Sequence, residues 1–167
     1  MIKERSQLLT GVIAAHPNRT ISSRARLQKT IWLLQFFGFP TDYAYTLFFR
    51  SPYSEELVFD LMLLEHIQSI TQRHIIDHYV ITAVVMPSLG RFHPTVVALS
   101  QTTDIMLELM TAYTRLQRFK QGHNMILKKL RKRFSNNQLN QAIMLIERLQ
   151  NGLIVDEEMA GAIIKYG

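Results

Sequence analysis

The residues able to do chemistry are few and scattered. His74 and His78 stand four apart, a spacing that places two imidazoles on one face of a helix, where a third ligand would complete a metal site. The nearby Asp77 would point elsewhere on that helix, so the pair reads as polar surface imidazoles near a strand start. His93-Pro94 reads as a helix start rather than a catalytic base. Glu55-Glu56 can be pictured as an acid/base pair, but adjacent helical residues diverge by about 100°. Acids there instead complement the positive end of a helix dipole. The seven glycines are dispersed and form neither GxGxxG nor GxxxxGK, and no GxSxG elbow exists. With no cysteine, disulfides, thiolate metal sites, iron–sulfur clusters and cysteine nucleophiles are all excluded. The sequence therefore predicts no catalytic constellation, no metal site and no cofactor.

The elements that position these residues belong to a chain of 167 residues with 47% apolar content. That length supports one domain with its own core, and the composition argues against disorder. The start, MIKERSQLL, lacks the apolar run of a secretory signal. No apolar stretch nears the 18 or more residues of a membrane span. A cytoplasmic, membrane-free protein is the expectation.

The net charge of +6 is a sum of opposing blocks. Residues 1–54 carry seven Lys/Arg against two acids, and residues 55–108 carry two against seven. Residues 109–146 carry eight Lys/Arg and no acid. Such a block attracts phosphate or acidic protein, and the acidic block could be its counter-surface within the fold.

Periodicity and punctuation predict the elements. Residues 3–15 read as an amphipathic helix ended by His16-Pro17-Asn18. Ser22 or Ser23 caps a second helix with Leu27, Ile31 and Leu34 inward and Gly38 at its C′ position. The aromatic run 43–50 favours a strand. A helix starting at Ser51-Pro52 or at Ser54 reaches about Ile70, with Leu57, Leu61 and Leu64 inward. Residues 78–86 read as a strand, and 96–119 as one long helix. Gly122 then precedes a short basic helix, 124–134. Ser135 and Gln138 form a capping-box pattern for the next helix, and Asp156-Glu157-Glu158 starts a last one. The expected fold class is α+β, mostly α, in a single domain: a winged-helix-like half over 1–90, with strands 43–50 and 78–86 pairing as the wing, and a helical half over 91–167.

The aromatic group Trp32, Phe36, Phe37, Tyr43, Tyr45, Phe48 and Phe49 has two readings. One is core and hairpin packing. The other is a partly exposed surface beside Arg50 that suits a protein partner. The eight methionines read as adaptable core filler.

Two segments carry a family resemblance. Ser23-Arg24-Ala25-Arg26-Leu27-Gln28-Lys29-Thr30-Ile31-Trp32-Leu33-Leu34-Gln35 resembles the "R-LQK-hydrophobic-YLLQ" opening of YwgA-like proteins. Phe49-Arg50-Ser51-Pro52-Tyr53-Ser54-Glu55-Glu56-Leu57 resembles their "YGPYS-EL" box, followed by an acidic helix with Asp60-Leu61. A more distant likeness is to Panacea (SocA-like) antitoxin domains. Beyond these 40 or so residues the likeness is colinear at Tyr79–Thr82 and across Leu107–Leu130. Ser51 stands where the family usually has Gly, which would strain a turn needing positive φ.

The resemblance implies a small helical protein with a two-stranded element, close to a winged helix, that acts by binding. The leading expectation is a non-enzymatic, antitoxin-like or regulatory protein. It would bind a protein partner such as a toxin or a protease through Trp32, Tyr45, Arg50 and Tyr53, with homodimerisation open. The alternative is a duplex-DNA-binding regulator. Arg24, Arg26 and Lys29 would then lie at the start of a groove-binding helix, and Arg115, Arg118, Lys120, Lys128, Lys129, Arg131, Lys132 and Arg133 on phosphates.

Overall fold

The computed structural model describes residues 2–48, 51–75 and 78–152. The fold is α+β and mostly helical, with seven α-helices and two small antiparallel sheets among the described residues. Helix α1 (Ile2–Ala14) leads through a 3₁₀ turn at Pro17–Arg19 into β1 (Thr20–Ile21). Helix α2 (Arg24–Phe36) follows, then the strands β2 (Thr46–Phe48) and β3 (Ser51–Tyr53), and helix α3 (Glu55–His66). Strands β4 (Ile70–Ile75) and β5 (His78–Ala83) complete the first half. The second half is α4 (His93–Ser100), α5 (Asp104–Arg118), α6 (His123–Leu130) and α7 (Asn136–Gln150).

Caps explain several boundaries. The Ser23 hydroxyl accepts from the Arg26 amide, and that of Ser54 from the Leu57 amide. Ser135 and Gln138 form the reciprocal capping box that the sequence predicts. Gly38 has φ +88° and ends α2, with the Phe39 amide donating back to the Leu34 carbonyl. That is the C′ position expected of it.

The wing pairing differs from expectation. Among the described residues, 43–48 and 78–86 do not pair. Residues 46–48 pair with 51–53 in a two-stranded ribbon, in register Thr46↔Tyr53 and Phe48↔Ser51. β5 is instead the centre of a three-stranded sheet ordered β1-β5-β4, with Ile21↔Ile81 and Gln72↔Ile81 among its pairs. The sequence reading missed β1, which is only two residues long, and β4, of which it took Ile70 as the end of a helix and left 71–75 unassigned. The helix stops because Gln68 turns left-handed, at φ +57°, and the Ser69 amide bonds the Leu64 carbonyl. Ile70 is buried as a strand residue rather than as a further helical turn. Ser51 and Pro52 lie in β3 rather than at a helix start, and Ser51 has no positive φ, so the expected strain at the family's glycine does not arise.

The predicted helix 96–119 is two helices. Thr103 caps α5 by accepting from the Met106 amide, and Gln101–Thr103 break the run. The helix expected from Asp156 lies outside the described residues.

One cluster of buried apolar side chains runs from Leu9 on α1 through Leu27, Ile31 and Leu34 on α2 to Leu109 on α5 and Leu149 on α7. Helix α2 is the hub, packing on β1, β5, β3, α4 and α5.

Candidate functional site

Helix α2 uses its polar residues as internal fasteners. Gln28 is buried, and its amide makes two 3.0 Å bonds to the backbone N–H and C=O of Ser54, as a strand neighbour would. Gln35 accepts from the Thr41 hydroxyl at 2.9 Å and the Tyr43 amide at 3.0 Å, and donates to the Tyr43 carbonyl. These two glutamines hold the start of α3 and the loop before β2.

Of the expected aromatic surface, Trp32 and Tyr43 are interior, and Phe36, Phe37 and Tyr45 are partly buried. Trp32 is only 7% exposed, its indole N–H donates to Thr114 Oγ1 at 3.1 Å, and its ring meets Tyr45 edge-to-face at 5.2 Å. Arg118 covers the same ring at 5.1 Å. The group locks α2 to α5, so Trp32 is core and offers no docking surface, because a large ring with a single donor is best satisfied inside. The Tyr45 hydroxyl is buried without a partner among the described residues, and burial drives its acidity down. Tyr53 is half-buried in β3, and Arg50 lies outside the described residues.

The cations expected on DNA divide into two kinds. Arg26 is structural. Its guanidinium donates to the carbonyls of Ser100 at 3.0 Å and Thr102 at 2.6 Å, reaches Leu99, and pairs with Asp104. It satisfies carbonyls that the end of α4 leaves open, which removes it from any nucleic-acid surface. Arg24 donates twice to Gln72 Oε1, and Gln72 in turn donates to the Glu65 carboxylate. Lys29, on the same helix, is partly exposed. Acids of the 55–108 block meet cations of the N-terminal block here, and the expected pairing with the 109–146 block is made at one place among the described residues. Glu108 pairs with Arg133, which also covers Phe134.

The remaining cations form two groups. Arg115, Arg118 and Lys120 stand at the C-terminal end of α5. Lys128, Lys129, Arg131, Lys132 and Arg133 cluster around the end of α6, beside Glu108 near the other end of α5. Along α5, Glu108 and Arg118 are ten helical residues, about 15 Å, apart, while Lys129 reaches back to the residue after Lys120. Lys128, Arg131 and Lys132 are exposed and make no ion pair among the described residues, while Lys129 donates to Gln121 at 2.8 Å.

The residues that sequence reasoning missed lie on α3. Leu57, Asp60, Leu61 and Leu64 face inward, yet Phe59 and Met62 are 60% and 59% exposed on the opposite side. Ile67 follows at the helix end, and Val84, Val85 and Met86 continue past β5, all exposed. The Val84 amide donates to the Ser69 carbonyl at 2.9 Å, joining the end of α3 to this segment. The signal was present in the sequence: α3 is apolar at helical spacing on two faces, and one core can bury only one of them.

No group of three or more His, Asp or Glu stands close enough to hold a metal ion among the described residues. Among them, too, no helix is long and apolar enough to cross a membrane. Comparison with known family models, curated proteins and solved structures finds no match.

Proposed function

We propose that this protein is a winged-helix-like, non-enzymatic binding protein of the antitoxin-like or regulatory kind, acting through stoichiometric protein–protein contact. The order α1-β1-α2-α3-β4-β5 and the sheet order β1-β5-β4 support the winged-helix reading, with the β2–β3 ribbon inserted before α3. In that arrangement α3 takes the place of the groove-reading helix. The single observation that carries the proposal is what α3 shows to solvent: Phe59, Met62, Glu55, Glu56, Glu65 and His66. Such a face repels phosphate and buries apolar area on a protein. The docking surface therefore shifts from the Trp32 group to α3 and the end of β5. The YwgA-like and Panacea-like resemblance leads to the same class of function.

The test is capture from native lysate with nuclease added, using wild type beside Phe59→Glu. A stoichiometric partner lost in the variant supports the reading. Equal capture by both, or none by either, overturns it.

A second reading has its own observation. The exposed cations Lys128, Arg131 and Lys132, with Lys129, form a patch that fits duplex DNA phosphates. Reversing all four charges should abolish retention on a DNA column. Unchanged retention sinks this reading. Where binding occurs, log K should fall by about 0.9 per log unit of salt for each phosphate neutralised.

A further inference from the structure

The exposed face of α3 has a regular spacing. Glu55, Phe59, Met62 and His66 follow one another at four, three and four residues, and all are exposed. That is the 3.5-residue repeat of a two-helix seam. It lies opposite the inward stripe of Leu57, Leu61 and Leu64.

The seam is also self-complementary under a two-fold axis between Phe59 and Met62. In an antiparallel pair of α3 helices, Phe59 of one copy meets Met62 of the other twice over. Thioether sulfur against an aromatic ring is a favourable contact. Glu55 meets His66 of the other copy at both ends, an acceptor against an imidazole donor. On the flanks, Val58 stands opposite Glu65 of the second copy, and Glu56 opposite Leu63, so no two acids face each other. A parallel pair would set Glu55 against Glu55 and align both helix dipoles, which is unfavourable. Charge and shape therefore select one orientation and one occupant.

We propose that α3 is the isologous interface of a homodimer, with α3 packed antiparallel on α3 of a second copy. The proposal rests on reading this face as a protein-binding surface, and names what covers it.

The test uses the full chain in analytical ultracentrifugation from about 1 to 500 μM, with circular dichroism as the folding control. Wild type should move from monomer to dimer mass across that range. Phe59→Glu and Met62→Glu, at positions already in solvent, should keep their helical spectrum and weaken the dimer at least tenfold. Orientation is read by oxidative cross-linking, since the chain has no native cysteine. The double variant Glu55→Cys, His66→Cys should form a covalent dimer. Glu55→Cys alone should not, because the two copies of that position would be about 16 Å apart, beyond disulfide reach. A monomer at every concentration, a dimer indifferent to Phe59→Glu, or ready cross-linking of Glu55→Cys alone each overturns the proposal. A monomer that still captures a partner from lysate refutes the dimer and keeps the binding function; a dimer that captures nothing refutes that function and keeps the dimer.

Discussion

The guanidinium of Arg5 on α1 lies 2.7 Å from the carboxylate of Asp60 on α3, across 55 positions of sequence. Asp60 is 1% exposed, and the Tyr43 hydroxyl donates to the same oxygen at 2.8 Å. Arg5 also stacks over the Tyr43 ring at 4.7 Å. Three segments thus meet at one buried carboxylate. Burial, and then the bond to Asp60, push the Tyr43 hydroxyl well above its usual range, so it stays a donor. Replacing Arg5 with Ala strands the charge, which costs about 3 kcal/mol when one partner of a buried pair is lost. Urea denaturation should show that loss, and the double variant with Asp60→Asn should recover part of it. Strictly additive losses would mean the pair is not coupled.

His16 makes the stability depend on pH. It is 4% exposed, and its Nδ1–H donates to the Val12 carbonyl at 2.8 Å, while Nε2 is buried without a partner among the described residues. Burial, with a smaller contribution from Arg26, pushes its pKa down to about 4. The folded state therefore favours the neutral ring, whereas the unfolded chain protonates near 6.5. The contribution is fully present above about pH 6.5 and is lost progressively toward pH 4, by on the order of 3 kcal/mol. Between pH 7.5, 5.5 and 4.5, the stability of wild type should fall relative to that of His16→Leu, as read from their denaturation midpoints. A constant gap between them would remove His16 as the cause.

Arg26 should matter for folding rather than for nucleic acid. Its loss uncovers the carbonyls of Leu99, Ser100 and Thr102, and Arg26→Ala should cost about 2 kcal/mol. Lysine should rescue little, because an ammonium cannot span several fixed acceptors as a planar guanidinium does. Retention of the folded variant on a DNA column should match wild type.

Two helix ends can be improved. Gln68 and Lys120 are left-handed, at φ +57° and +54°, and each precedes an amide that bonds back to the helix: Ser69 to Leu64, and Gln121 to Leu116. Glycine suits that conformation, as Gly38 does at the end of α2. Gln68→Gly and Lys120→Gly should each stabilise by about 0.5–1 kcal/mol, measured as a rise in melting temperature. A fall at either site would show that the side chain contributes more than the turn costs.

Gly11 marks a close approach. A Cβ there would lie 2.8 Å from Leu89 Cδ2 and 3.0 Å from the Pro87 carbonyl oxygen. Gly11→Val should destabilise by about 1–3 kcal/mol through overpacking, despite valine's better helix propensity. Equal stability would mean that the 87–89 segment yields freely.

By itself the sequence determined whatever depends on neighbours in the chain. The capping box at Ser135, the turn at Gly38 and the inward stripes of α2 and α3 are local physics, decided within a turn or two; the choice of Ser23 over Ser22 and of Ser54 over Ser51 was left open. Pairing was not legible. β1 and β4 are strands only because β5 lies beside them, and strand pairing is a contact between distant residues that no local pattern encodes. The same holds for charge and exposure. Arg26 and Arg131 look alike in sequence, yet one closes a helix end and the other stands in solvent. Trp32 and Phe59 both read as apolar, and only the closure of the core, which has room for one face of each helix, sent Trp32 inside and left Phe59 out.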